Sequence, residues 1–204
     1  MAAPLRDDAP FDPLVDLAGL WTTELAERYV PLHGLPPATR YECLGGRLIM
    51  SPMEGAANRY AMGRMLVLLD GPAMGADALV YPSVNMRFDD QTWIEPDLAV
   101  LRASAQQAVW VPADLFLMPV EFVSPGSRRR DRIDKPALCA AAEVPYYLRV
   151  EIDGRYVEVE LSELVDGAYR VIAQAVSGQE FRTEVPFPLS FDPLDLLEPG
   201  IARR

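Results

Sequence analysis

Histidine and cysteine are nearly missing from this chain of 204 residues: His33 is the one histidine, and Cys43 and Cys139 are the two cysteines. So little histidine excludes a His-based zinc hydrolase and leaves a Ser-His-Asp arrangement only if His33 is its base. That residue sits in PLHGLPP, which reads as a loop. With no CxxC pair, neither a disulfide framework nor a cysteine-rich zinc site is supported, and both thiols read as reduced and buried. Long apolar runs are absent too, none approaching the ~18 residues of a membrane helix. The opening MAAPLRDDAP has aspartates where a secretory signal has a basic stretch and then an apolar one. The expectation is a cytoplasmic protein with no membrane partner.

Positive charge is also scarce. Lys and Arg number 19 against 30 Asp and Glu, for a net charge of -11, which argues against coating nucleic acid through a broad basic surface. Any such contact must be local. The clearest basic cluster is Arg128, Arg129, Arg130 and Arg132, with Lys135 close behind. It reads either as a solvated loop and helix start or as a patch that holds phosphates.

What is present is an ordinary globular composition, 50% hydrophobic and 24% charged, with 19 prolines that mark many loop boundaries. The length suits one domain. Residues 1–20 read as an arm, docked if at all by Leu14, Leu17 and Leu20; residues 21–195 form the domain, and 196–204 a peripheral tail.

Along the domain, TTELAERYV reads as a short capped helix stopped at Pro31. RYECLGGRLIMSP reads as two strands around Gly45-Gly46. Residues 56 to 69 place Met62, Met65, Leu66 and Leu69 at helical spacing, more in keeping with core than with a cofactor surface. ALVYPSVNMRF, the turn Asp89-Asp90 and TWIEPDLAVL read together as one long hairpin, with Asp97 at the start of its second strand. A loop through Val111 and Pro112 leads to FLMPVEFV, an apolar central strand broken by Glu121 and bent, or left unpaired, at Pro119. A helix from about Ile133 to Glu143 takes Pro136 in its first turn. A hairpin across Asp153-Gly154 and further short strands follow. The order implies an α+β (α/β) fold with a mixed sheet, two internal helices covering one mostly β layer.

Chemistry in such a chain must run on carboxylates and lysine. A carboxylate inside an apolar strand is costly unless it binds a metal or hydrogen-bonds well, so Glu121 needs a reason. Asp97, beside Pro96, could merely cap a turn. Together the two acids supply the oxygen ligands that a Mg²⁺ ion prefers, and Lys135 could orient a water or steady a phosphate. Strand alternation would put Glu95 on the same face as Asp97, so either could be the ligand.

The stretches RYECLGGRLIMSP, IEPDLAVL and VEFVSPGSRRRDRIDKPALCAAAEVPYYLRVE resemble the Uma-two family of small bacterial restriction-endonuclease relatives, a branch of the PD-(D/E)xK nuclease superfamily, in order and spacing over about residues 22 to 190. The resemblance implies a restriction-endonuclease-like mixed central sheet flanked by helices, with extra hairpins, and Mg²⁺- or Mn²⁺-dependent cleavage of DNA phosphodiesters. It maps Asp97 onto the family's PD pair and Glu121 onto its second acid, both as metal ligands. By the same mapping Lys135 becomes the catalytic lysine moved onto the helix, and Glu42 a further acid expected at the cleft. Four positions depart from the family: Val123 where the lysine usually stands, Cys139 for Tyr, Glu143 for Gly, and Pro119 in a strand that is normally unbroken apolar. Three readings stay open. One is an endonuclease, a homodimer if it cuts both strands, with Arg128 to Arg132 on backbone phosphates. Another is an inactive binding or dimerisation module. In the third, the same site acts on RNA or a nucleotide.

Overall fold

The computed structural model describes residues 11–35, 40–52 and 54–202; most of the expected arm (residues 1–10) and the end of the expected tail (203–204) lie outside the described residues. Two short helices, α1 (Pro13–Asp16) and α2 (Thr23–Tyr29), precede strands β1 (Arg40–Leu44) and β2 (Arg47–Ser51). Helix α3 (Ala56–Gly75) is followed by β3 (Leu79–Pro82), β4 (Asn85–Asp89), β5 (Thr92–Ile94), β6 (Leu98–Leu101), β7 (Trp110–Pro112) and β8 (Phe116–Val123). A π turn (Arg130–Asp134) opens α4 (Lys135–Ala141), and then come β9 (Tyr146–Asp153), β10 (Tyr156–Val165), β11 (Ala168–Val176), β12 (Phe181–Thr183), β13 (Leu189–Phe191) and α5 (Pro199–Ala202).

The class is α+β, as expected, but the strands form two large sheets rather than one layer. Five strands run β2-β1-β5-β4-β7, six run β11-β10-β9-β8-β6-β3, and β12 and β13 make a small third sheet. Both large sheets are mixed, through the parallel pairs β8–β9 and β4–β7. The long hairpin expected from Leu79 to Leu101 does form, yet it is shared between the two: β3 pairs with β6 in one sheet and β4 with β5 in the other. It crosses at Ser83, whose φ is 42° and whose amide donates to the Asp97 carbonyl at 3.2 Å. Asp97 therefore lies at the seam between the sheets.

Strand β8 is central, flanked by β6 and β9. Six of its residues in a row, Met118 to Val123, are buried. Because side chains alternate, Met118, Val120 and Phe122 enter the main core beneath α3, whose Ala61, Met65, Leu69 and Ala73 form the facing stripe. Glu121 consequently points to the opposite face. Full burial of residues such as Val120 and Phe122 contributes roughly 1.5–3 kcal/mol each, enough together to offset several kcal/mol for burying one ionised group. Pro119 stands opposite Ala99 of β6, one residue before pairing with β9 begins at Val120, so its missing N–H falls where β8 has no second partner.

Several boundaries differ from the sequence reading. The helix expected over 56 to 69 runs on through Pro72 to Gly75. The loop at Val111 and Pro112 is a short strand, held parallel to β4. The segment after β8 turns helical at residue 128, five residues earlier than expected. At the N-terminal end Leu17 packs on the small core around Trp21 and Trp93, while Leu14 and Leu20 are exposed. Leu196 and Leu197, in the segment read as a tail, are buried in the main core.

The β1–β2 turn has Gly45 at φ 58° and Gly46 at φ 76°, the left-handed pair of a tight hairpin. A Cβ on Gly46 would lie 2.5 Å from the Gly19 carbonyl oxygen, whereas one on Gly45 meets open space. Left-handed backbone alone costs a non-glycine residue about 1–2 kcal/mol. Gly45→Ala should lose about that much stability and Gly46→Ala distinctly more, read by urea denaturation. Equal losses would show that contact with the Gly19 backbone is not what holds this turn.

Candidate functional site

A cleft of about 330 Å³ opens where the two sheets and the helix after β8 meet. Glu42 reaches it from β1, Asp97 from the crossing before β6, Glu121 from β8, and Asp131 and Lys135 from the helical segment. All five are buried, Asp97 and Glu121 to 1% exposure and Lys135 to 5%. The Lys135 ammonium lies 2.9 Å from Glu42 Oε1, 2.9 Å from Glu121 Oε1 and 3.2 Å from Asp131 Oδ1. Asp97 is held separately: its Oδ2 accepts from the Phe122 amide at 2.6 Å, and its Oδ1 is 2.5 Å from Arg40 Nη1. Glu42 Oε1 also accepts from the Glu95 amide at 3.1 Å, which ties β1 to the crossing strand.

Local backbone geometry explains why Asp131 and Lys135 both face inward. An acid four residues before a lysine lies on the same helical face. Pro136 has no N–H and would clash in a regular α-helix; the π turn just before it relaxes the chain, with the Lys135 amide donating to the Arg130 carbonyl five residues back. That shift deprives the Asp131 carbonyl of its usual partner. The Tyr147 hydroxyl, from β9, donates to it at 3.0 Å and satisfies it.

Carboxylates outnumber cations here, and burial together with that imbalance shifts the protonation equilibria. Burial pushes the Glu121 carboxyl well above its ordinary range, with Lys135 opposing and the neighbouring acids adding to the rise. Burial also raises Asp131, again against Lys135. For Lys135 burial acts downward, but Glu121, Glu42 and Asp131 outweigh it and hold the ammonium charged well above the usual lysine range.

The chain matches the model of the Uma2 family, described as "Putative restriction endonuclease", over residues 26–196. It belongs to that family. Among solved structures, the crystal structure of a "putative nuclease belonging to DUF820" from Anabaena variabilis is similar, with a TM-score of 0.56 and 16% identity over 76% of this chain and 88% of that one. At such identity the likeness speaks for a shared fold, the restriction-endonuclease-like mixed sheet with flanking helices. No curated protein matches the chain.

In this Uma2 protein the residues singled out in the sequence divide into two groups. Glu42, Asp97, Glu121 and Lys135 come together. Glu95 does not line the cleft; its side chain borders a separate pocket beside Trp93 and Trp110, 4.0 Å from Arg40. Of the four arginines only Arg130 lines the cleft, with Nη2 on the Ser51 hydroxyl at 2.9 Å and Nε 4.0 Å from Glu42. Arg132 forks onto Glu151, Arg129 pairs loosely with Asp134, and Arg128 is exposed. Both cysteines are free and buried, and His33 sits in a turn. Sequence reading missed Arg40, Asp131 and Tyr147. Arg40 was detectable by its alternation with Glu42 on β1, and Asp131 by its spacing to Lys135; nothing local marks Tyr147.

Removing one partner from a buried ion network leaves uncompensated charge. Lys135→Met should destabilise the protein by about 3–5 kcal/mol at neutral pH. Glu121 and Asp131, already raised, would then take up protons in the folded variant more readily than in the unfolded chain, so its stability should climb as pH falls toward the carboxylate range. Thermal melts of both proteins across pH check this, and a pH-independent loss would mean that the carboxylates do not depend on the ammonium. Tyr147→Phe leaves the Asp131 carbonyl buried and unpaired and should cost about 1–3 kcal/mol. Amide exchange should show the loss concentrated in residues 130–141, and a uniform loss would assign Tyr147 to packing alone.

Proposed function

We propose that this protein is a divalent-metal-dependent endonuclease, using Mg²⁺ or Mn²⁺, that hydrolyses DNA phosphodiesters in the cleft formed by Glu42, Asp97, Glu121 and Lys135. The observation that carries the reading is the burial of these four side chains at one point, although they come from four separate segments. Such a cluster stabilises no core, since a buried ion pair is at best weakly stabilising, and clefts that collect perturbed titratable groups are where chemistry is found.

The donor set fits the metal in kind. It is all oxygen, as hard divalent cations require, and its carboxylates exceed the cations that balance them. As they stand, no three potential ligands among the described residues are arranged to hold a metal by themselves; the acids are gathered on Lys135 and Arg40 instead. Asp97 and Glu121 are the residues that would hold the ion, with Glu42 beside them. Bound there, it supplies Lewis-acid charge at the phosphoryl group.

The chain's own residues supply the rest. Lys135 takes the role of the strand lysine that Val123 cannot fill: Val123 is buried and apolar, and the ammonium arrives from α4 to lie 2.9 Å from Glu121. Held charged, it can hydrogen-bond a water or a phosphate oxygen. Arg130, at the cleft wall, offers a forked contact to a non-bridging oxygen. Arg128 and Arg129, exposed just beyond Ser127 of the wall, are placed for flanking phosphates, which position the backbone without reading sequence. A second copy of the chain would bring a second cleft to the other strand of a duplex.

Asp97→Asn and Glu121→Gln should each abolish calorimetrically measured Mn²⁺ binding and the nicking of supercoiled plasmid, with the fold kept. Glu121→Gln should melt no lower than wild type without metal, because it removes a carboxylate whose charged form is disfavoured by burial first and by the neighbouring acids next. Nicking that survives both substitutions would sink the assignment, and wild-type protein that neither binds Mn²⁺ nor nicks would favour a binding module on a nuclease fold.

A further inference from the structure

Arg40 has no role in the scheme so far, yet it lines the cleft and holds the acid at the seam. Its Nη1 is 2.5 Å from Asp97 Oδ1, the oxygen left over once Oδ2 has taken the Phe122 amide. The Asp97 carboxylate is thus held through both oxygens, Oδ2 by a backbone hydrogen bond and Oδ1 by the ion pair with the guanidinium, its one close polar contact among the described residues. Arg40 itself is only partly covered: its side chain is 18% exposed against 2% for Asp97. A ligand entering the cleft therefore meets the guanidinium before the carboxylate. Guanidinium binds phosphate with the same fork it offers a carboxylate, so a phosphodiester is a direct competitor for Arg40.

We propose that Arg40 is a positioning residue that latches Asp97: in the free protein it occupies the carboxylate, and it passes that carboxylate to the divalent ion when a phosphodiester takes the guanidinium. Metal and phosphodiester then bind cooperatively. Either one alone does worse: the ion must compete with Arg40 for Asp97, and the phosphodiester adds negative charge to a network already short of positive charge. Binding together, they exchange partners, with ion on acid and arginine on phosphate. Reciprocity follows, each tightening the other by the same factor. The latch also keeps a strongly metal-binding acid pair from standing open when no substrate is present. This inference rests on the metal-dependent reading of the cleft and adds the order in which the cleft assembles.

The test is calorimetric titration of Mn²⁺ into the full chain and into Arg40→Gln, each with and without a phosphorothioate dinucleotide, a phosphodiester that resists cleavage. Wild type should bind Mn²⁺ more tightly with the dinucleotide, by a factor within the usual coupling range of about 5–150-fold. Arg40→Gln should bind Mn²⁺ more tightly than wild type when no dinucleotide is present, and the dinucleotide should then tighten binding by a smaller factor than it does in wild type. Should Arg40→Gln fail to fold, Arg40→Lys, which keeps charge but loses the fork, should move both quantities the same way by less. If the variant binds free Mn²⁺ no better than wild type, or wild type is indifferent to the dinucleotide, the latch is wrong, and plasmid nicking by wild type would leave the nuclease reading standing. Absence of Mn²⁺ binding under every condition, with no nicking, would overturn both.

Discussion

The buried ammonium of Lys135 is the interaction on which the remaining geometry hangs. Among the described residues it is the one positive group that touches all three of Glu42, Glu121 and Asp131, and these come from β1, from β8 and from the π turn. Burying each carboxylate alone would cost several kcal/mol. Gathered on one cation, that cost is shared, and three elements of the fold are tied to one another at that point. The arrangement is not a stability device, since a hydrophobic replacement would pack without the desolvation. It is an arrangement kept at a cost, which is what a site for chemistry looks like.

The seam between the two sheets follows from the same constraint. A single long hairpin spans Leu79 to Leu101, and its halves are given to different sheets by the turn at Ser83 and the crossing through Glu95 to Asp97. The crossing is where the backbone leaves one ladder and has not joined the next, so Asp97 can aim its side chain at β8 and accept from the Phe122 amide. Glu42 meets it from the other sheet through the Glu95 amide. Two sheets are needed because one pleated surface could not present β1 and β8 acids to the same ammonium while α4 brings that ammonium in.

Much of this was legible in the residues. Glu121 stood out because a charge inside FLMPVEFV has to be explained, and Asp97 because it follows a proline at a strand start. The short capped helix, the Gly45-Gly46 hairpin and the strand at 116–123 are local features, and local chemistry determines them. What could not be read was the partition of the long hairpin, because pairing of β4 with β7 and of β3 with β6 depends on partners far along the chain. Glu95 and Asp97 looked equivalent by alternation, and the crossing broke it by sending Glu95 toward the pocket beside Trp93. The arginine run divides for a related reason. Four neighbours on a helical turn point in different directions, so only Arg130 enters the cleft while Arg132 is spent on Glu151.

In the proposed site, a lysine taken from the helix rather than from the strand changes what controls the geometry. A lysine two residues after Glu121 would share its face of β8 and be placed by the strand alone. Here that position is the buried Val123, and the cation is delivered across the cleft by a helix whose first turn is widened before Pro136. The position of the ammonium therefore depends on the π turn, and the π turn depends on Tyr147 to satisfy the carbonyl that it leaves unpaired. Tyr147 belongs to β9, the parallel neighbour of β8, where Leu148 and Arg149 pair with Val120 and Glu121. The strand that carries the acid and the strand that steadies the lysine are thus hydrogen-bonded side by side, and their shared register sets the distance between Glu121 and Lys135 with no help from the length of the intervening loop. A helix-borne lysine can thereby reach Glu121 beside this parallel pair, which is how a chain with Val123 at the strand position can supply the cation of the proposed site.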